Sequence, residues 1–167
     1  MRLLRAAARL APESLEVEVA EWASAIPLYN ADLLEDLPAV VARWQAAVSA
    51  ADALVLAIPE YNHGPSGHGK NAIDWVSRPY GQHQLRGKAI VIMSSGERGG
   101  GKHMQAWLAP ILAALGNTIV DQPTITVVNG AERIPIDGPL DAELESLVQA
   151  RMAALLDALV GDDDGQS

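Results

Sequence analysis

The stretch Ala53-Leu54-Val55-Leu56-Ala57-Ile58, running directly into Pro59-Glu60-Tyr61-Asn62-His63-Gly64-Pro65-Ser66-Gly67-His68-Gly69-Lys70-Asn71-Ala72-Ile73-Asp74-Trp75, decides the fold. Consecutive apolar residues without alternation are what a strand buried on both faces of a parallel sheet requires. The Pro- and Gly-rich loop behind it leads into a helix expected over 71–77 and closed by Pro79. A buried strand, a loop and a helix in that order belong to an open α/β sheet, where ligands bind outside the carboxyl ends of the strands.

Outward from this stretch the same order repeats. Arg86-Gly87-Lys88 leads into a second apolar strand, 89–93, followed by the loop Ser94-Ser95-Gly96-Glu97-Arg98-Gly99-Gly100-Gly101. A helix is expected over 103–115, with Gly116 as its stop. Residues 118–128 read as a strand interrupted by Pro123, hence an edge strand or a bulge. Residues 139–160 read as a closing amphipathic helix.

Upstream, Pro38 opens a helix ending near 51–52, with Val41, Trp44, Ala47 and Val48 on its apolar stripe. The loop before it, 23–36, contains Ile26-Pro27-Leu28-Tyr29-Asn30. Leu15-Glu16-Val17-Glu18-Val19-Ala20 alternates with period two, which predicts an edge strand with one solvated face. Residues 1–10 read as a helix stopped at Ala11-Pro12. The order predicts an α/β fold, a doubly wound parallel sheet with helices on both faces. Such a fold usually opens on a central strand whose first turn grips a phosphate, whereas this sequence opens on a helix.

Composition narrows the function classes. The 167 residues, 49% hydrophobic and 20% charged, suit one globular domain over 1–160, followed by a disordered acidic tail over 161–167. The net charge of −9 and only three lysines disfavour nucleic acid as a partner, because phosphate contacts need clustered cations. The absence of cysteine excludes a disulfide scaffold, thiolate metal sites and a Cys nucleophile. No apolar run is long enough to span a bilayer and nothing resembles a signal peptide, so no membrane partner and a cytoplasmic location are expected.

Several motifs invite sharper readings. Gly64 to Asn71 nearly matches the triphosphate loop G-x-x-x-x-G-K-S/T, but Asn71 stands where a hydroxyl should bind magnesium, and 59–63 separates the loop from its strand. The glycines of 96–101 lack the G-x-G-x-x-G order of a dinucleotide loop, although they follow a buried strand. His63 and His68 are five apart in a loop without a carboxylate-rich companion spacing, so hydrogen-bonding histidines, rather than a metal site, are expected. Trp75 reads as core and Asp74 as a hydrogen-bonding partner. No nucleophile elbow is present, and no catalytic side chain is assigned.

Pro59-Glu60-Tyr61-Asn62, then Gly67, Lys70-Asn71-Ala72 and Asp74-Trp75, resemble the NADPH-dependent FMN reductase family of flavodoxin-like proteins. Its pattern runs P-E-Y-N, a Pro/Gly segment of small residues, then L-K-N-A-L/I-D-W at the same spacing. The Ile26-Pro27-Leu28-Tyr29-Asn30 loop, Gly87-Lys88 and Gly99-Gly100-Gly101 are similar to the family too. The resemblance implies a flavodoxin-like sheet, bound FMN, and NADPH or NADH as co-substrate. It implies hydride transfer to a flavin, quinone or similar small acceptor in a homodimer or homotetramer. In such an enzyme the cofactor carries the chemistry, so no acid–base pair is required.

By the resemblance, Pro59, Glu60, Tyr61 and Asn62 line the flavin, and Ser94, Ser95 and Gly96 close its other side. Glu97-Arg98 stands where the family has uncharged sequence, which implies a changed acceptor or nicotinamide pocket. The family opens with a strand and a G-S-x-R-x-x-S-x-N phosphate loop, whereas here Leu3 to Ala8 reads as the helix that follows them. The expected fold therefore lacks the usual first, central strand. An upstream start, a neighbouring chain filling the gap, and a rearranged fold without FMN are all compatible with this. The alternative function is accordingly a flavin-free, non-catalytic structural or interaction protein.

Overall fold

In a computed structural model, residues 1–135 and 138–163 are described. Three parallel strands form the sheet in the order β1 (Ala53–Ala57), β4 (Ala89–Gly96), β5 (Thr118–Val128). Between the first two lie a small antiparallel hairpin, β2 (Glu60–Tyr61) with β3 (Gly64–Pro65), and helix α3 (Gly67–Val76). The other helices are α1 (Arg2–Leu10), α2 (Ala39–Ala50), α4 (Lys102–Ala114), the single turn α5 (Gly130–Arg133) and α6 (Ala142–Asp163).

The continuous apolar strands are apolar because both of their faces are covered. Ala89, Val91 and Met93 of β4 pack under α1 and α6 with Leu144, Val148 and Met152. Ile90 and Ile92 face the opposite layer, with Ile73 and Val76 of α3 and Met104, Leu108 and Leu112 of α4. Full burial of each such side chain is worth roughly 2 kcal/mol. Among the described residues this is the flavodoxin-like arrangement the sequence predicts: a parallel sheet with helices on both sides.

β5 carries the expected irregularity. Its register against β4 shifts between Val91 and Met93, opposite Pro123. The carbonyls released there are taken by Arg151 of α6, only 1% exposed, which donates to the carbonyls of Val120, Asp121 and Pro123.

Four element boundaries differ from expectation. Residues 15–20 are extended, with Leu15 and Val17 turned towards the core and both glutamates outward, but they form no strand. A ladder needs a paired backbone, and among the described residues no strand pairs with this segment. The alternation reports the buried face and is silent about pairing. α3 starts at Gly67 rather than at 71, because Ser66 caps it, its hydroxyl accepting from the Gly69 N–H at 3.3 Å. β4 runs on through Ser94, Ser95 and Gly96, which pair with Thr126, Val127 and Val128. The last helix extends to Asp163, and residues 164–167 of the expected tail lie outside the described residues.

Candidate functional site

The carboxyl ends of β1, β4 and β5 open onto a crevice made of two adjoining clefts. One, of about 290 Å³, is lined by Ala57, Ile58, Pro59, Ser94 and Ser95 together with Met1, Arg2, Leu3 and Ile134. The other, of about 460 Å³, is lined by Gly96, Glu97, Arg98, Asn129 and Glu132. Ser95 and Gly130 border both. A Cβ on Gly130 would stand 2.8 Å from the Cβ of Ser95, so this wall is closed by main chain rather than by a side chain.

The glycine loop shapes the floor. The Ser94 hydroxyl donates to the Gly100 carbonyl at 2.7 Å and accepts from Gln105 Nε2 at 2.8 Å. Gly101, at φ +91°, packs against that serine so closely that a Cβ there would lie 2.5 Å from Ser94 Cβ. The loop thus folds back beneath the end of β4, and Ser94 presents its main chain to the crevice while its hydroxyl is spent inside.

Glu60 follows Pro59 but turns its side chain away from the crevice. One carboxylate oxygen accepts the backbone N–H groups of His103 and Met104, both at 3.0 Å. The Met104 N–H, first among these contacts, holds the carboxyl below the ordinary Glu range. The negative charge also offsets the partial positive charge of the α4 N-terminus.

Tyr61 and Asn62 sit on the hairpin. Tyr61 is 65% exposed, and Asn62 and His63 both adopt positive φ, at 51° and 63°. Of the seven residues expected to hold a ligand, the structure brings Pro59, Ser94, Ser95 and Gly96 to the crevice walls. Glu60, Tyr61 and Asn62 stand beside it on the hairpin.

The remaining motif residues have structural duties. Asn71 accepts the Tyr29 N–H at 2.7 Å and donates to the Pro27 carbonyl at 2.8 Å, and Trp75 Nε1 donates to that carbonyl as well. The K-N-A-I-D-W segment therefore clamps the 26–30 loop. Lys70 is paired with Asp74 one turn along the same helix, so its ammonium is not aimed at a phosphate. That geometry agrees with setting aside the triphosphate-loop resemblance. Arg2, Ile134, Asn129 and Gly130 escaped the sequence reading. Asn129 and Gly130 could have been found from their place immediately after β5, by the same strand-end rule that singled out the two earlier loops.

A planar tricyclic ring fits this crevice. The stretch from Ser94 to Gly96 and Gly130 bring main chain and small side chains to its walls, with no branched side chain on the stretch from Ser94 to Gly96. The cationic side chains lining it, among the described residues, are Arg2 and Arg98, and Arg2 is also bonded to the Ile134 carbonyl at 3.0 Å. Among the described residues, no histidine or lysine lines either cleft beside the two serines. Among the described residues, no helix is long and apolar enough to cross a membrane.

Comparisons with known proteins agree with this geometry. The family model for NADPH-dependent FMN reductase matches residues 1–132. The chain is 34% identical over 154 residues to an NAD(P)H-dependent FMN reductase of Pseudomonas aeruginosa, covering 91% of this chain and 83% of the relative. It is 32% identical to a 2-hydroxy-1,4-benzoquinone reductase of a Burkholderia species, covering 85% and 78%. The solved structure of FerB, a flavoenzyme NAD(P)H:(acceptor) oxidoreductase of Paracoccus denitrificans, superposes with a TM-score of 0.79 at 31% identity, covering 93% and 88%. The chain belongs to the NADPH-dependent FMN reductase family, oxidoreductases of flavodoxin-like fold that pair FMN with NAD(P)H.

Proposed function

We propose that this protein uses FMN to pass hydride from NADPH or NADH to a small quinone-type or flavin acceptor. The observation that carries the proposal is the crevice at the carboxyl ends of β1, β4 and β5, with Ser94, Ser95, Gly96 and Gly130 on its walls and Arg2 and Arg98 among its lining side chains. FMN, when bound, supplies the two-electron chemistry. The chain is left with binding, orientation and the exclusion of competing reactions.

Pro59, Glu60, Tyr61 and Asn62 are assigned to one side of the ring, Glu60 through its main chain because its carboxylate caps α4. Ser94, Ser95 and Gly96 are assigned to the other. Arg2 and Arg98 are the cations placed to meet an anionic group. A homodimer or homotetramer is the assembly this reading carries, supported by large apolar side chains left exposed at Leu28, Tyr80 and Trp107.

Reconstitution tests the proposal. The purified chain is mixed with FMN, passed over a desalting column and examined for protein-bound flavin absorbance. Oxidation of NADPH and of NADH is then followed with benzoquinone as acceptor. Retained flavin and acceptor-dependent oxidation are expected. Failure of both flavin retention and NAD(P)H oxidation would overturn the proposal in favour of a flavin-free interaction protein.

A further inference from the structure

The tip of the β2–β3 hairpin and the first turn of α4 bring Glu60, His63 and His103 together outside the crevice. His63 Nδ1 lies 3.2 Å from His103 Nδ1. Glu60 Oε1 lies 3.3 Å from His103 Nδ1 and 3.8 Å from His63 Nδ1. We propose that these three side chains bind a divalent transition-metal ion of the zinc class.

The distances carry the proposal. A tetrahedral ion with metal–nitrogen and metal–oxygen bonds of about 2.0–2.1 Å spaces its ligand atoms about 3.3–3.4 Å apart. Two of the three separations match that edge, and the third exceeds it by only about half an ångström. The imidazoles meet edge to face, at an interplanar angle of 82°, so they converge through nitrogen atoms and do not stack. A hydrogen bond cannot serve all three atoms equally, because one N–H cannot aim well at two acceptors. A cation satisfies three lone pairs together.

Both flanks of the cluster are prepared. Glu60 Oε2 is held by the backbone N–H groups of His103 and Met104, which orients Oε1 towards the imidazoles, as an outer shell of hydrogen bonds orients a ligand. His63 is held at φ +63°, a conformation uncommon for a residue with a side chain. The two-residue hairpin turn imposes it, and it carries the imidazole across to α4.

Two imidazoles and a carboxylate select a zinc-like ion over magnesium or calcium. The absence of cysteine leaves no competing thiolate. A fourth position stays open to solvent, since the His63 side chain is 80% exposed. The sequence alone pairs His63 with His68, five residues away. The chain fold pairs it with His103, forty residues away.

The site shares Glu60 with the flavin proposal but uses its carboxylate rather than its main chain, and it is tested without flavin. Chelator-treated full-length protein is titrated with zinc chloride by calorimetry, and thermal midpoints are recorded with and without zinc. One ion per chain is expected, with affinity falling at least about tenfold in His63→Ala and in His103→Ala and unchanged in His68→Ala. Zinc should raise the midpoint of the wild type and not that of His63→Ala. Because His63 lies on an exposed turn, its variant carries the test even if His103→Ala folds poorly. Absence of saturable zinc binding by the wild type, or equal binding by His63→Ala, overturns the proposal.

Discussion

Asn71 holds Pro27 across 44 residues of sequence: its side-chain amide donates to the Pro27 carbonyl at 2.8 Å while its oxygen accepts the Tyr29 N–H at 2.7 Å. One amide thus satisfies both a donor and an acceptor of a loop that, among the described residues, pairs with no strand. Asn71→Ala leaves the Tyr29 N–H without its partner and the Pro27 carbonyl with the Trp75 indole as its remaining donor, and is expected to cost about 2 kcal/mol. Urea unfolding of the two proteins, with equal slopes, checks this. The Trp75 indole, which shares the Pro27 carbonyl, should show altered fluorescence.

Gly101 is the point at which the crevice floor admits no side chain. Its φ is +91° and a Cβ would meet Ser94 Cβ at 2.5 Å, so strain and overlap act together. Gly101→Ala is expected to lose about 2 kcal/mol or more. Gly96→Ala, whose new Cβ would find its nearest neighbour at 3.6 Å, should unfold close to wild type. Thermal melts of the pair separate the positions.

Arg151 bridges the irregular part of β5 through the carbonyls of Val120, Asp121 and Pro123. Arg151→Ala is expected to destabilise by about 2–4 kcal/mol, since buried carbonyls lose charged donors. Arg151→Lys should restore only part of this, because a single ammonium cannot replace the planar fork. Denaturant midpoints of the three proteins test the order.

Asp141 caps α6 and is gripped by Arg133, with N···O distances of 2.7 and 2.9 Å. The guanidinium first, and the Leu144 N–H next, lower its pKa from 3.8 to about 2. A carboxyl held lower in the folded than in the unfolded chain binds fewer protons when folded. Its contribution is therefore complete above the unfolded value of about 3.9 and is lost as pH falls through about 2. Asp141→Asn keeps a capping oxygen and removes the charge. Its melting midpoint should lie below wild type at neutral pH, with the gap closing between about pH 4 and pH 2.

Ser95 borders both clefts. Ser95→Leu should lower FMN affinity by about tenfold or more, the equivalent of about 1.4 kcal/mol, by placing a branched side chain on the crevice wall. Flavin fluorescence titration measures it, and retained far-ultraviolet circular dichroism shows that the fold persists.

Much of the fold was legible because its signals are local. The all-apolar runs of β1 and β4 required burial on two faces, and Pro123 required an irregular edge strand. Gly116, at φ +85°, follows the end of α4 as a helix stop should. Boundaries moved where a side chain from outside the periodic run intervened, as Ser66 does in starting α3 four residues early. The Leu15–Val17 alternation was right about which side faces the core and misleading about a ladder, since pairing depends on a neighbour that periodicity cannot supply.

What the sequence by itself determined is the three strands of the parallel sheet, the long helices that flank it, their buried faces, and the strand-end position of Pro59 and of Ser94 to Gly96. Each follows from covalent neighbours and side-chain period. Only the tertiary structure decided that Gly130 completes the crevice wall, that Arg151 serves the β5 irregularity, and that Glu60 turns from the crevice to cap α4. It also decided that His63 meets His103. These relationships join residues about 28 to 43 positions apart, and at such separations the parallel crossovers, not the spacing along the chain, set which side chains share a point in space.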